Sequence, residues 1–233
     1  MSEAFVLLFD LDGTLIDSVP DLCAALNQML RERGRAPLTP QEVAPMVGDG
    51  MPALVSRALA ARGLDPVETP ALLPRYVALY EANAANLTRP YPHVPETLEL
   101  LRRRGYRLGI CTNKLQRPTM VVLRALGLSE LFDAVAGGDR FPVKKPDGGH
   151  VLGLIDLLYG RADRAAMIGD HENDAAAAKA AKVPILLMRY GYARGDLATL
   201  GCDALLDDFA ELPAVLDRLG LTPTGPVSPT GRD

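Results

Sequence analysis

The 233-residue chain has only three cysteines, Cys23, Cys111 and Cys202, widely spaced and with no Cys-x-x-Cys pair. A set so small, odd and scattered excludes a disulfide framework. It is read as reduced thiols of a cytoplasmic protein, two of them half-buried packing residues. No apolar run approaches the ~20 residues that span a bilayer. Met1 leads within a few residues into a strand, so no secretory leader is expected. Positive charge is not in excess: the formal net charge is −4, which argues against nucleic acid or an anionic membrane as partner. No internal repeat is found, and residues 17–88 contain no lysine. What the chain does have is apolar substance, 48% of its residues, enough for a packed core. Its length suits one large domain, or one domain with a modest insertion.

The run Phe5-Val6-Leu7-Leu8-Phe9 reads as a strand buried on both faces. It ends in Asp10-Leu11-Asp12-Gly13. Two carboxylates at the tip of a buried strand are costly unless paired or metal-bound. In parallel α/β sheets that edge is where ligands bind.

From Asp17-Ser18-Val19-Pro20 onward the pattern turns helical: Leu22, Leu26, Met29 and Leu30 share a face, and Gly34 ends the helix. Thr39-Pro40-Gln41-Glu42 resembles a capping box, and Leu72 to Leu87 fit a long helix. About 70 helical residues between two strands exceed an ordinary crossover, so residues 17–88 are read as an inserted all-helical cap. Within it, Gly48-Asp49-Gly50 reads either as a substrate-facing loop or as a plain helix-to-helix turn.

After residue 90, strands and helices alternate. Strands are expected at Tyr106–Cys111, Phe132–Ala136, Ala165–Gly169, Pro184–Met188 and Ala204–Leu206. The fold class is therefore α/β, a doubly wound, Rossmann-like parallel sheet formed by residues 1–16 and 89–220. The tail 221–233, rich in Pro, Gly, Ser and Thr, is expected to be disordered. This topology would bring together Asp10 and Asp12, Thr112 and Asn113, and Asp170. Three carboxylates need a cation, and oxygen-only ligands favour Mg²⁺. A threonine hydroxyl and a lysine suit phosphoryl oxygens. A carboxylate can attack phosphorus, and a second can serve as acid and base. The residue types alone point to Mg²⁺-dependent phosphoryl transfer.

The string Asp10-Leu11-Asp12-Gly13-Thr14-Leu15-Ile16-Asp17-Ser18 resembles the first motif of the haloacid dehalogenase-like phosphatases, and the resemblance extends over about residues 4–210. It implies Asp10 as nucleophile, Asp12 as general acid/base and Thr112, beside Asn113, as phosphate binder. It implies Lys145 of Lys144-Lys145-Pro146 as the charge-balancing lysine, with Lys144 the competing choice. Gly169-Asp170-His171-Glu172-Asn173-Asp174 resembles the fourth motif. The implied Mg²⁺ shell is the Asp10 carboxylate, the Asp12 backbone carbonyl and Asp170. Asp174 would act through water or as a helix-start partner.

His171 stands where Ser or Thr is usual in the family. It is expected to be a solvent-facing helix-start residue, the alternative being a group near the metal. His93 is assigned to a tight turn. Lys182 replaces a glycine common after the alanine-rich helix.

The wider pattern of Val47-Gly48-Asp49-Gly50, Tyr91-Pro92, Gly137-Gly138-Asp139 and Lys144-Lys145-Pro146 most resembles phosphoglycolate phosphatases. It implies hydrolysis of 2-phosphoglycolate, with Gly48 and Asp49 substrate-binding. Another small phosphate ester, or a phosphomutase reaction, are the alternatives. A phosphonoacetaldehyde-type hydrolase is excluded by the absence of a cap lysine. The expected partner is a small phosphorylated metabolite, with the chain a monomer or homodimer.

Overall fold

The computed structural model describes residues 4–223. The first strand, β1 (Val6–Phe9), is buried along its whole length. Its alternation divides the core: Leu7 and Phe9 enter one apolar cluster, while Val6 and Leu8 enter the other, as the two-residue period of a strand requires. A two-residue strand follows, β2 (Ile16–Asp17), and then four helices: α1 (Val19–Glu32), α2 (Pro40–Val43), α3 (Met51–Ala61) and α4 (Thr69–Asn83). The chain returns through β3 (Arg89–Pro90) and α5 (Val94–Arg103) to β4 (Arg107–Cys111). Next come α6 (Gln116–Ala125), β5 (Ala134–Ala136), α7 (Gly148–Leu157), β6 (Ala165–Gly169) and α8 (Glu172–Ala181). The last elements are β7 (Ile185–Met188), β8 (Ala204–Leu206) and α9 (Leu212–Arg218).

Six strands form one parallel sheet in the order β5-β4-β1-β6-β7-β8. The order reverses at β1, the switch point where such sheets open a ligand crevice. Register makes the crevice a single site. Phe9 lies opposite both Ile110 of β4 and Ile168 of β6, and β4 and β6 run one residue further, so Asp10, Thr112 and Asp170 leave neighbouring strands within one residue of a common level. Close packing behind this edge depends on small residues. A Cβ on Gly109 would lie 2.7 Å from Leu158 Cδ1, and Ala175, Ala177, Ala178 and Ala181 let α8 lie close on the sheet.

Helices α1 to α4 pack around their own apolar cluster, with Leu26, Met29, Val55, Leu59, Tyr76 and Tyr80 at its centre. The capping box is complete: Thr39 accepts from the Glu42 amide and Glu42 accepts from the Thr39 amide. Two features were not legible in the sequence. The chain enters and leaves the bundle through an antiparallel β2–β3 pair, each strand too short to show a period. Helix α4 stops at Asn83 rather than near Leu87, which is exposed. The exit is fixed instead by buried Asp21 of α1, whose carboxylate accepts from the Leu87 and Thr88 amides and from Thr88 Oγ1 at 2.7–3.1 Å. Asp21→Ala would leave two buried donors of Thr88 and the part-buried Leu87 amide unpaired and is expected to lower stability by about 2 kcal/mol or more in denaturant unfolding. A change under about 0.5 kcal/mol would show that the exit is held elsewhere.

The expected tail lies outside the described residues from 224 on; at its start the Leu221 carbonyl accepts from Tyr106 Oη at 2.8 Å. His93 adopts a left-handed turn, paired to Asp208, and Lys182 adopts the left-handed conformation of the glycine expected there. No helix among the described residues is long and apolar enough to cross a membrane.

Candidate active site

Asp10, the first residue beyond β1, meets Lys145 Nζ at 2.9 Å. The same ammonium donates to Asp174 Oδ1 at 2.6 Å. Lys144 points elsewhere and donates to the Asp49 carbonyl. Burial opposes the Lys145 charge, but Asp10 and Asp174 more than offset it and raise the ammonium's pKa. Asp170 follows β6; its Oδ1 accepts from Thr14 Oγ1 and its Oδ2 from the Tyr192 amide, each at 2.7 Å. Asp174 Oδ2 accepts from the Asp170 and His171 amides, so it does act as the helix-start partner of α8.

Carboxylate oxygens of Asp10, Asp170 and Asp174 all lie within 4.8 Å of one another, and all three residues are buried. Burial, reinforced by the neighbouring carboxylates, drives the Asp170 pKa well upward. Burial also raises Asp10, against the pull of Lys145. One ammonium cannot balance three buried carboxylates. A hard divalent cation would, and the all-oxygen donor set fits Mg²⁺.

Asp12 lies toward the other wall, where Lys114 Nζ approaches its two carboxylate oxygens at 2.9 and 3.0 Å. The ammonium also sits 4.5 Å from the Tyr80 ring centroid of α4. Thr112 and Asn113 are buried beside it, and Asn113 Nδ2 donates to the carbonyls of Gly48 and Lys145. These groups, with Gly48 and Gly50, line a partly open cavity of about 30 Å³, roofed by Leu22, Val47, Met51 and Leu54. It has room for water.

Gly48 belongs to this lining because a side chain could not: at φ +107° its Cβ would fall 2.6 Å from His171 Nε2. The segment is thus neither a plain turn nor wholly substrate-facing. Asp49, expected to bind substrate, is absent from the lining. Its carboxylate is held by Arg57, Arg194 and Asn173; burial would raise its pKa, but these partners pull it far below the usual range. Arg194 also donates to the carbonyls of Pro45 and Val47.

His171 corrects a second expectation. It does start α8, where its Nδ1 accepts from the Asn173 amide, but it is 3% exposed, because the Gly48 loop covers its ring.

Lys114, Thr14, Tyr192 and Arg194 were not singled out from the sequence. Lys114 carries a usable signal, standing two residues beyond Thr112. Tyr192 and Arg194 sit in a stretch without a motif, and only the fold brings them in.

Two results are expected from this geometry. A Cβ on Gly13 (φ +91°) would lie 2.2 Å from Asp170 Oδ2. Gly13→Ala therefore strains the backbone and displaces Asp170, at a cost of about 2 kcal/mol or more in denaturant unfolding; a shift under about 0.5 kcal/mol would contradict the packing.

His150 is buried, and its Nδ1 accepts from the Lys145 amide at 3.3 Å. Burial, then the Lys145 charge, pushes its pKa down to about 4. Between about pH 6.5 and that value the unfolded chain binds the extra proton, so stability rises with pH over this window and is lost on acidification. His150→Asn is expected to remove up to about 3 kcal/mol of that dependence. An unchanged slope between pH 4 and 6.5 would contradict it.

Comparison with known proteins agrees with the motif reading. Residues 7–188 match the family model described as haloacid dehalogenase-like hydrolase. The chain is 44% identical over 230 residues to a phosphoglycolate phosphatase of Rhodospirillum rubrum, covering 93% of this chain and 95% of the relative. A crystal structure of a predicted phosphoglycolate phosphatase from Haemophilus somnus superposes with a TM-score of 0.85 at 31% identity, covering 92% of this chain and 99% of the other. CbbY from Rhodobacter sphaeroides, crystallised with phosphate, gives a TM-score of 0.79 at 26% identity, with 93% and 100% covered. Similarity of this extent, on a sheet edge that carries the motif residues together, makes the chain a member of the haloacid dehalogenase-like hydrolase family.

Proposed function

We propose that the protein is a Mg²⁺-dependent phosphomonoester hydrolase working through an aspartyl phosphate, with 2-phosphoglycolate as substrate. The observation that carries this reading is the separation of two aspartates facing one small cavity. Asp10 is paired with Lys145 at the acidic cluster, and Asp12 with Lys114 on the opposite side. Two carboxylates in distinct surroundings can take distinct roles.

Asp10 attacks phosphorus, an Asp10 oxygen–phosphorus bond forms, and the bond from phosphorus to the ester oxygen breaks. Asp12 gives its proton to the departing glycolate oxygen, then takes one from the water that attacks the aspartyl phosphate and releases phosphate. Thr112 Oγ1 and the Asn113 side chain orient phosphoryl oxygens, and Lys145 balances their charge against Asp10. Asp10, Asp170 and the Asp12 backbone carbonyl would hold Mg²⁺, which when bound neutralises phosphoryl charge. Asp174 acts by orienting Lys145 and the amides of Asp170 and His171.

Residues 17–88 act as a cap over the core formed by 1–16 and 89–220. A cap in this position can shield the reacting groups from bulk water, with the β2–β3 pair as the hinge on which it would open for substrate. The choice of 2-phosphoglycolate rests on the names of the relatives. It is tested by phosphate release from a panel of phosphomonoesters, with and without Mg²⁺. The expected result is metal-dependent release, fastest from 2-phosphoglycolate. Preference for a sugar phosphate or nucleotide would overturn the substrate, and no release from any ester would overturn the activity.

A further inference from the structure

We propose that Lys114 is the specificity-determining residue: its ammonium receives the carboxylate of a short phosphate ester, so the site favours anionic esters over uncharged ones of similar size. This rests on the 2-phosphoglycolate reading, which by itself assigns no group to the carboxylate.

Among the described residues that line the cavity, Lys114 is the only cation. The other cations nearby are engaged elsewhere: Lys145 with Asp10 and Asp174, Lys144 with the Asp49 carbonyl, and Arg57 and Arg194 with the Asp49 carboxylate. The roof is apolar, from Leu22, Val47, Met51 and Leu54, and the cap contributes no lysine.

Connectivity then places the carboxylate. To protonate the leaving oxygen, Asp12 must come within hydrogen-bond reach of it. In a phosphoglycolate, one carbon separates that oxygen from the carboxylate. Lys114 Nζ touches Asp12 at 2.9 and 3.0 Å, so a carboxylate on the next carbon falls within its range. An ammonium has three N–H donors, shared here between the two Asp12 oxygens and the Tyr80 side chain, so a carboxylate is received by exchange with one of these partners. The Lys114 side chain is 2% exposed and covered by the Tyr80 ring. Water therefore competes little, and a charge-assisted contact is correspondingly strong.

The test compares kcat/KM for 2-phosphoglycolate and for ethyl phosphate, its counterpart without the carboxylate, in the wild type, Lys114→Met and Lys114→Arg. The wild type is expected to prefer phosphoglycolate. Lys114→Met should shrink that preference roughly ten- to hundredfold, the range of one lost charged contact, and Lys114→Arg should keep most of it. An equal loss on both esters, with the preference intact, would overturn the inference and leave Lys114 serving Asp12 alone.

If Lys114→Met turns over neither ester, dissociation constants for the two esters are measured in the Asp10→Asn background, with and without Lys114→Met. The same selective loss supports the proposal, and a parallel loss overturns it. A wild type that hydrolyses other esters but shows no preference for phosphoglycolate would instead refute the substrate reading.

Discussion

Asp10→Asn is expected to lower Mg²⁺-dependent phosphate release by at least roughly 10³-fold, since an amide cannot replace a carboxylate as nucleophile. The substitution keeps the side chain's shape and removes one of three clustered buried charges. Burial raises the Asp10 pKa in the fold, so at neutral pH the ionised form works against folding. The metal-free variant should therefore unfold at a temperature equal to or above that of the wild type, since Lys145 keeps Asp174 as partner. Loss of activity together with retained or raised stability separates a chemical role from a structural one. A variant that keeps a tenth of wild-type activity would remove Asp10 from the reaction.

Lys145→Met should do the opposite to stability. Its ammonium lies between Asp10 and Asp174 at 2.9 and 2.6 Å, with the side chain 1% exposed. Without it, Asp10, Asp170 and Asp174 share a buried site with no cation. Removing one partner of a buried ion pair costs about 3–5 kcal/mol. The metal-free variant should lose that much in urea unfolding and regain part of it at high Mg²⁺, because any ligand that binds only the folded state stabilises it. Activity should fall about 100-fold or more even where the variant is folded, since phosphoryl charge would meet Asp10 uncompensated. A loss below about 1 kcal/mol, insensitive to Mg²⁺, would show that the carboxylates are balanced by something else.

The central features of the fold were legible because they are written in short-range pattern. Phe5 to Phe9 is an unbroken apolar run, the Asp-x-Asp at its end has no packing reason to exist, and strand–helix alternation after residue 90 leaves few topologies. Thr39 and Glu42 form the capping box their spacing announced.

What escaped depends on where a side chain is aimed once distant segments meet. Asp49 looks like a substrate residue in sequence, yet Arg57 of α3, Asn173 of α8 and Arg194 of the loop after β7 hold its carboxylate. His171, polar and at a helix start, reads as solvent-facing until a loop more than a hundred residues earlier covers it. A lysine beyond a strand is ordinarily a surface residue; only its encounter with Asp12 and Tyr80 makes Lys114 part of the cavity. Lys145 could be preferred to Lys144 from its place before proline, and the geometry separates them by partner.

The central claim is that Asp10 becomes phosphorylated during turnover, and it can be tested directly. Enzyme mixed with 2-phosphoglycolate and Mg²⁺ is quenched within the first turnover and treated with borohydride, which reduces an acyl phosphate to the alcohol. Peptide mass spectrometry then reads position 10. The account predicts homoserine there, dependent on substrate and absent from Asp10→Asn. An unmodified aspartate at position 10 while phosphate is released, or the reduced residue at another carboxylate, would contradict it.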